Sequence, residues 1–122
     1  MLLPSLFTAT TLFTVYRFTI NFPNLPYSNE LKRPGSAQFV KLSQEISDAL
    51  NTLLSSIPSH HNVTVRDYRY QQVLGTLVTV EITSRRTEPT IWRLIKRAVR
   101  SGHIGRFAVG TDGFEYYTIN GH

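Results

Sequence analysis

The chain has 122 residues, 13 lysines and arginines against eight acids, and no cysteine. This length suits a single domain with one core of its own. The lack of cysteine excludes a disulfide framework, a thiolate metal site and a cysteine nucleophile.

The N-terminal segment is apolar, and its first charged side chain is Arg17. We interpret residues 1–13 as a tail, either the end of a fragment or a signal-like remnant, and place the folded domain at residues 14–120. The first predicted strand is Thr14–Phe22, whose apolar and polar residues alternate with the period of a half-buried strand.

A proline-rich loop precedes the first predicted helix, with Ser36 as its N-cap. Its apolar residues recur at helical spacing and predict one buried stripe. The members of the stripe are Phe39, Leu42, Ile46, Ala49, Leu50, Leu53 and Ile57. Pro58 is expected to end the helix.

A hairpin is predicted next, with strands Asn62–Tyr70 and Thr76–Thr83 joined by a turn over residues 71–75. The second helix is expected to begin at a Thr87 cap, with Pro89 in its first turn, and to end at Gly102. Its predicted buried stripe is Ile91, Leu94, Ile95 and Ala98.

The C-terminal part contains "RFAV", a predicted "GTDG" turn and the strand-like "FEYYTI". The whole order is therefore β-α-β-β-α-β with one extra short strand. This order predicts an α+β fold, a ferredoxin-like sandwich with an antiparallel sheet and two helices on one face.

The positive charge is concentrated between residues 85 and 106, which hold seven basic side chains and a single acid. Arg93, Lys96, Arg97 and Arg100 share one face of the second helix by their spacing. Such a face is either simply solvated or a site for a polyanion. A ferredoxin-like nucleic-acid-binding domain is a further alternative, but the aromatic strand pattern of RNA-recognition modules is absent and we expect no nucleic acid.

Other polar motifs are sparse. Asn62-Val63-Thr64 is an N-glycosylation sequon. The four histidines (His60, His61, His103 and His122) lack the spacing of a ligand set and are expected in exposed loops. Since no catalytic triad or carboxylate pair is present either, we predict neither an enzyme nor a bound metal or cofactor.

One dipeptide in the hairpin has two interpretations. In "VLGTLVTVEI", Gly75 is either the residue that completes a turn or the scissile position of a chain that cuts itself with Thr76 as nucleophile. The methyl group of Thr76 stiffens its side chain and suits a strand residue better than a nucleophile. We therefore expect an uncut hairpin, with self-cleavage at Gly75-Thr76 as the alternative.

The sequence resembles the SEA domain along most of its length. "YRFTINFPNLPYSNEL" is similar to the first strand and loop of that family, and "RPGSAQFVKLSQEISDALNTLL" to its first helix. "IWRLIKRAVRSGHIGRFAVGTDGFEYYTI" resembles its second helix and closing strand, most of all in the perlecan-type module. In the hairpin Gly75 matches the family's Gly-Ser cleavage motif, whereas Thr76 departs from the serine.

The resemblance implies an extracellular, non-catalytic module of a proteoglycan or cell-surface glycoprotein, in the matrix or on an ectodomain. Its implied role is structural or in interaction, within a glycan-rich environment. The expected partner is a sulfated glycosaminoglycan such as heparan sulfate, bound by the basic helix, or another extracellular protein. A membrane would be reached only through a parent chain.

Overall fold

The computed structural model describes residues 13–59 and 61–121. The long strands are β1 (Phe13–Phe22), β2 (His61–Gln71), β3 (Gly75–Ser84) and β6 (Gly110–Gly121), and the helices are α1 (Ala37–Leu53) and α2 (Pro89–Ser101). A 3₁₀ turn (Asn29–Lys32) precedes α1, and two short strands, β4 (His103–Ile104) and β5 (Phe107–Ala108), follow α2. The predictions made for residues 1–12, His60 and His122 lie outside the described part.

The four long strands form one antiparallel sheet in the order β2-β3-β1-β6. This is the predicted ferredoxin-like arrangement, in which the first strand lies in the middle and pairs with the third and the last. Strand β2 is at one edge of the sheet and β6 at the other. Strands β4 and β5 form a separate two-stranded hairpin.

One face of the sheet is buried by the two helices. The alternation of β1 places Tyr16, Phe18 and Ile20 on this face, each at most 2% exposed. Phe18 lies opposite Val80 of β3 and Tyr116 of β6, and stacks on the Tyr116 ring with centroids 5.0 Å apart. The helices add their apolar stripes to the same core, with Ile46 and Leu50 from α1, Leu54 directly after it, and Ile91, Ile95 and Val99 from α2.

Helix α1 begins as predicted, because the Ser36 hydroxyl accepts a hydrogen bond from the Phe39 N–H at 3.1 Å. It ends earlier than predicted, at Leu53 rather than at Pro58. A tight turn follows, in which the Ile57 N–H donates to the Leu54 carbonyl at 3.0 Å. Ile57 is still buried, so its place in the apolar stripe does not require a helical backbone.

Helix α2 differs from prediction at its start and agrees at its end. The cap residue is Glu88, not Thr87, whose hydroxyl lies 3.3 Å from that of Thr14. The Glu88 N–H donates to the Tyr16 hydroxyl at 2.6 Å, so a contact with β1 fixes this end. At the other end Gly102 has φ +95° and its N–H donates to the Ala98 and Val99 carbonyls, as expected for a left-handed helix terminus.

The C-terminal region is the largest departure from prediction. The "GTDG" segment is part of β6 and not a turn. The pairing of β6 with β1 shifts register opposite Thr19–Asn21, and Gly113 within the shifted stretch has φ +81°. The turn-like residues therefore accommodate an irregularity in a long strand.

Candidate functional site

The hairpin between β2 and β3 closes tightly around Gly75. The Leu74 N–H donates to the Gln71 carbonyl at 3.1 Å, which makes a four-residue turn. Gly75 then opens β3 with φ +128°, a conformation that glycine alone adopts readily. The backbone at position 75 therefore favours glycine.

The loop after β1 packs directly against this glycine. A Cβ atom at position 75 would lie 2.8 Å from the Cα of Pro23 and 3.1 Å from the Oδ1 of Asn21. The Asn21 amide group donates to the Leu74 carbonyl at 3.1 Å, and its Oδ1 is buried without a hydrogen-bond partner among the described residues. Gly75 is thus required for the close approach of two backbone segments.

The Thr76 hydroxyl is hydrogen-bonded away from the peptide bond it would have to attack. It donates to the Leu25 carbonyl oxygen at 2.7 Å, and Thr76 is fully buried. A nucleophilic hydroxyl must lose its proton and direct its oxygen at the preceding carbonyl carbon. Here the proton is held by a carbonyl of the neighbouring loop, which gives Thr76 a structural part in joining that loop to the hairpin.

The basic face of α2 consists of Arg93, Lys96, Arg97 and Arg100, as predicted from their spacing. The three arginines are exposed, whereas Lys96 is half-buried. Opposite them Ile91, Ile95 and Ala98 lie in the core. The predicted stripe member Leu94 is half-buried, and Val99 takes the fully buried place beside it.

Lys96 differs from its three neighbours because its ammonium lies over an aromatic ring. Its Nζ is 4.3 Å from the centroid of the Trp92 ring. The Trp92 ring in turn contacts Tyr116 of β6, with centroids 5.3 Å apart. Lys96 therefore has a packing role in addition to its charge, which the helical spacing alone does not reveal.

Asn62 lies at the beginning of the edge strand β2, exposed, with Thr64 exposed two residues further on. It is paired with Thr83 of β3. The structure therefore places the acceptor amide and the hydroxyl of the sequon at an accessible edge of the sheet.

Comparison with known proteins identifies the family. A family model described as "SEA domain" matches residues 14–104, which is most of the chain. The chain belongs to the SEA domain family. The match runs from β1 to the end of β4 and so includes both helices and the β2–β3 hairpin. SEA domains occur in extracellular or cell-surface proteins and are in general non-catalytic modules.

The other comparisons add little to the family match. A search of curated proteins finds no match. Among solved structures, an aminohydrolase from methicillin resistant Staphylococcus aureus is 13% identical with a TM-score of 0.40, and an amidase of the hydantoinase/carbamoylase family from Burkholderia multivorans is 16% identical with a TM-score of 0.36. Both alignments cover 89% of this chain, which spans only 29% and 27% of those two chains. At these scores the likeness carries no argument about activity.

The sheet face opposite the helices of the SEA domain holds a polar cluster that sequence analysis missed. Arg17 of β1 forms a hydrogen-bonded ion pair with Glu81 of β3 and donates to the Tyr117 hydroxyl at 2.7 Å. Arg66 approaches the other Glu81 oxygen at 3.8 Å. The hydrogen bonds to Glu81 and then to Tyr117 raise the pKa of the Arg17 guanidinium. The alternation of β1 predicts the face of Arg17, but its partners depend on the strand register.

The histidines within the described part of the SEA domain begin strands, whereas loops were predicted. His61 opens β2 with its Nδ1 3.1 Å from the Ser59 carbonyl oxygen, and His103 opens β4. Residues 13–59 and 61–121 contain no group of three or more histidines and acids close enough to hold a metal ion. Within the same ranges no helix has the length and hydropathy needed to cross a membrane.

Proposed function

We propose that this SEA domain is a non-catalytic extracellular module of a proteoglycan or cell-surface glycoprotein, with a structural or interaction role in a glycan-rich environment. The observation that carries the proposal is the exposed row of arginines on α2, in a chain of the SEA family. The resemblance of this SEA domain to the perlecan type stays a prediction.

The partner that fits this row is a sulfated glycosaminoglycan. Arg93, Arg97 and Arg100 are exposed on one side of a helix whose opposite side is buried. None of the three forms an ion pair within the described part of the chain. Guanidinium groups bind planar anionic groups through paired hydrogen bonds, which suits sulfates and carboxylates.

Heparin chromatography tests the proposal, with wild type retained at about 0.15 M salt. The triple substitution of Arg93, Arg97 and Arg100 by Ala is expected to abolish retention at that salt. The matched control replaces the exposed Lys32, Arg33 and Lys41, which removes the same charge elsewhere on the surface. If both triple variants lose retention equally, or if wild type elutes below that salt, the basic face is only solvated and has no binding role. Displacement by RNA but not by heparan sulfate would favour the nucleic-acid alternative.

The second part of the proposal is an N-glycan on Asn62. Its support is the exposed position of the sequon at the start of an edge strand. Protein secreted from a eukaryotic cell is expected to lose mass on glycosidase treatment, and Asn62→Gln is expected to remove that change. A secreted wild type whose mass is unaffected by the glycosidase would contradict this part only.

The third part concerns the hairpin, for which we propose an uncut chain. It is supported by the hydrogen bond that commits the Thr76 hydroxyl to the Leu25 carbonyl. A self-cleaving module cut at Gly75-Thr76 remains the alternative within the family. Intact-mass measurement of the native protein distinguishes the two, since cleavage would give one fragment ending at Gly75 and one beginning at Thr76.

A further inference from the structure

A small cavity opens beside Asn62 at the end of the sheet where β1 begins. Its volume is about 250 Å³, and its lining consists of Phe13, Asn62, Thr83 and Arg85. Pockets for drug-sized ligands are larger, at roughly 300–1,000 Å³. The cavity is therefore of a size for one small ring, and one of its walls is the asparagine of the sequon.

The strand register brings these residues together on the sheet face opposite the helices. Asn62 is paired with Thr83, which is paired in turn with Val15 of β1. Phe13 precedes Val15 by two residues and so lies on the same face. Its side chain is 39% exposed and forms one wall of the cavity.

The lining matches the chemistry of a neutral amino sugar. One face of a pyranose ring presents C–H groups, which pack on an aromatic ring, while its hydroxyl and N-acetyl groups accept or donate hydrogen bonds. Phe13 supplies the ring, and Arg85 and Thr83 supply polar groups. An N-glycan begins with N-acetylglucosamine, so the first sugar attached to Asn62 would start within this cavity.

We propose that the first N-acetylglucosamine of a glycan on Asn62 occupies the cavity, packs against the Phe13 ring and thereby stabilises the module. This proposal rests on the proposed glycosylation of Asn62. It also assigns a function to the exposed aromatic ring, since the sugar covers apolar surface that is otherwise in water.

The experiment compares the melting temperature of the secreted glycoprotein in three forms: the full glycan, a single N-acetylglucosamine left by an endoglycosidase, and no sugar. Wild type is expected to keep its melting temperature in the single-sugar form and to lose on the order of 3 °C when the last sugar is removed. Asn62→Gln provides an unglycosylated form without the charge that enzymatic removal introduces.

Phe13→Ala is expected to abolish the difference between the single-sugar and sugar-free forms. The matched control is Val40→Ala, which truncates an exposed apolar side chain (57%) on α1, on the other side of the sheet, and is expected to keep the difference. Nuclear Overhauser contacts between the Phe13 ring and the first sugar provide a direct readout in wild type. A glycosylated wild type with no such contacts, or with the same thermal shift after Phe13→Ala, overturns the cavity proposal and leaves glycosylation intact. A chain without glycan overturns both.

Discussion

The Thr76 hydroxyl donates a hydrogen bond to the Leu25 carbonyl oxygen across 2.7 Å, although the two residues are 51 positions apart in the chain. This bond joins the loop after β1 to the beginning of β3. It also determines what can be expected of Gly75-Thr76, the hairpin dipeptide whose glycine matches the cleavage motif of the family.

Thr76→Val is expected to lower the free energy of unfolding by about 1 kcal/mol, because it removes the hydroxyl and keeps the shape of the side chain. Thr76→Ser keeps the hydroxyl and is expected to stay uncut, since the serine proton can bind the same carbonyl. Urea unfolding measures the first effect and intact mass the second. Spontaneous cleavage of the serine variant would show that the hydroxyl is free to attack.

Gly75→Ala is expected to destabilise the domain by about 2–3 kcal/mol. The added Cβ would meet the backbone of Pro23, at a φ that alanine rarely adopts. Gly35→Ala is the matched control, because nothing lies within 4 Å of a Cβ at position 35. Urea unfolding of both variants checks the prediction, which fails if the two substitutions have similar effects.

Lys96→Ala is expected to lower the free energy of unfolding by about 0.5–1 kcal/mol, because it removes the ammonium from the face of Trp92. Arg93→Ala removes an equal charge from an exposed position on the same helix and is expected to leave stability nearly unchanged. Urea unfolding followed by Trp92 fluorescence measures the free energy of unfolding of both variants. Equal stabilities would mean that the Lys96–Trp92 contact contributes nothing measurable.

Stability is expected to fall at high pH because of Tyr68. Burial raises the pKa of this phenol to about 12, although its hydrogen bond with Ser43 partly opposes the shift. Its unfolded-state pKa is about 10. The folded state therefore keeps the proton longer, and stability is unaffected below pH 10 and declines between pH 10 and 12.

The loss attributable to Tyr68 is up to about 3 kcal/mol. Tyr16, whose pKa burial also raises, adds to the same decline. Tyr68→Phe is expected to make the decline shallower and to remove a phenol with a raised pKa from a titration of phenolate absorbance. An unchanged pH profile in that variant would assign the decline to other groups.

Local patterns were sufficient for the parts of the fold whose partners are close in sequence. The alternation of residues 14–22 predicted a strand with one buried face, and Ser36 and Gly102 predicted helix ends that depend on hydrogen bonds within a few residues. The order of the elements then limited the topology to the ferredoxin-like sandwich.

Features that depend on distant partners were not predictable. The "GTDG" pattern predicts a turn, yet the segment is part of β6 and its position is determined by the pairing of β6 with β1. Spacing placed Lys96 on the basic face, but its position over Trp92 is known only once the side chains are placed. The partner of Thr76 is the Leu25 carbonyl in the loop after β1. Because this loop is distant in sequence, the pattern around Thr76 could not predict the hydrogen bond.

The pairing of Phe13 with Gly121 puts the start of the central strand and the end of an edge strand side by side. A force that separates these two residues acts across the strands, along the inter-strand hydrogen bonds. It therefore breaks the hydrogen bonds between β1 and β6 one residue pair after another, instead of loading all pairs at the same time in shear. Tension applied between these two residues is therefore expected to separate β6 from β1 before it disrupts the β1–β3 ladder.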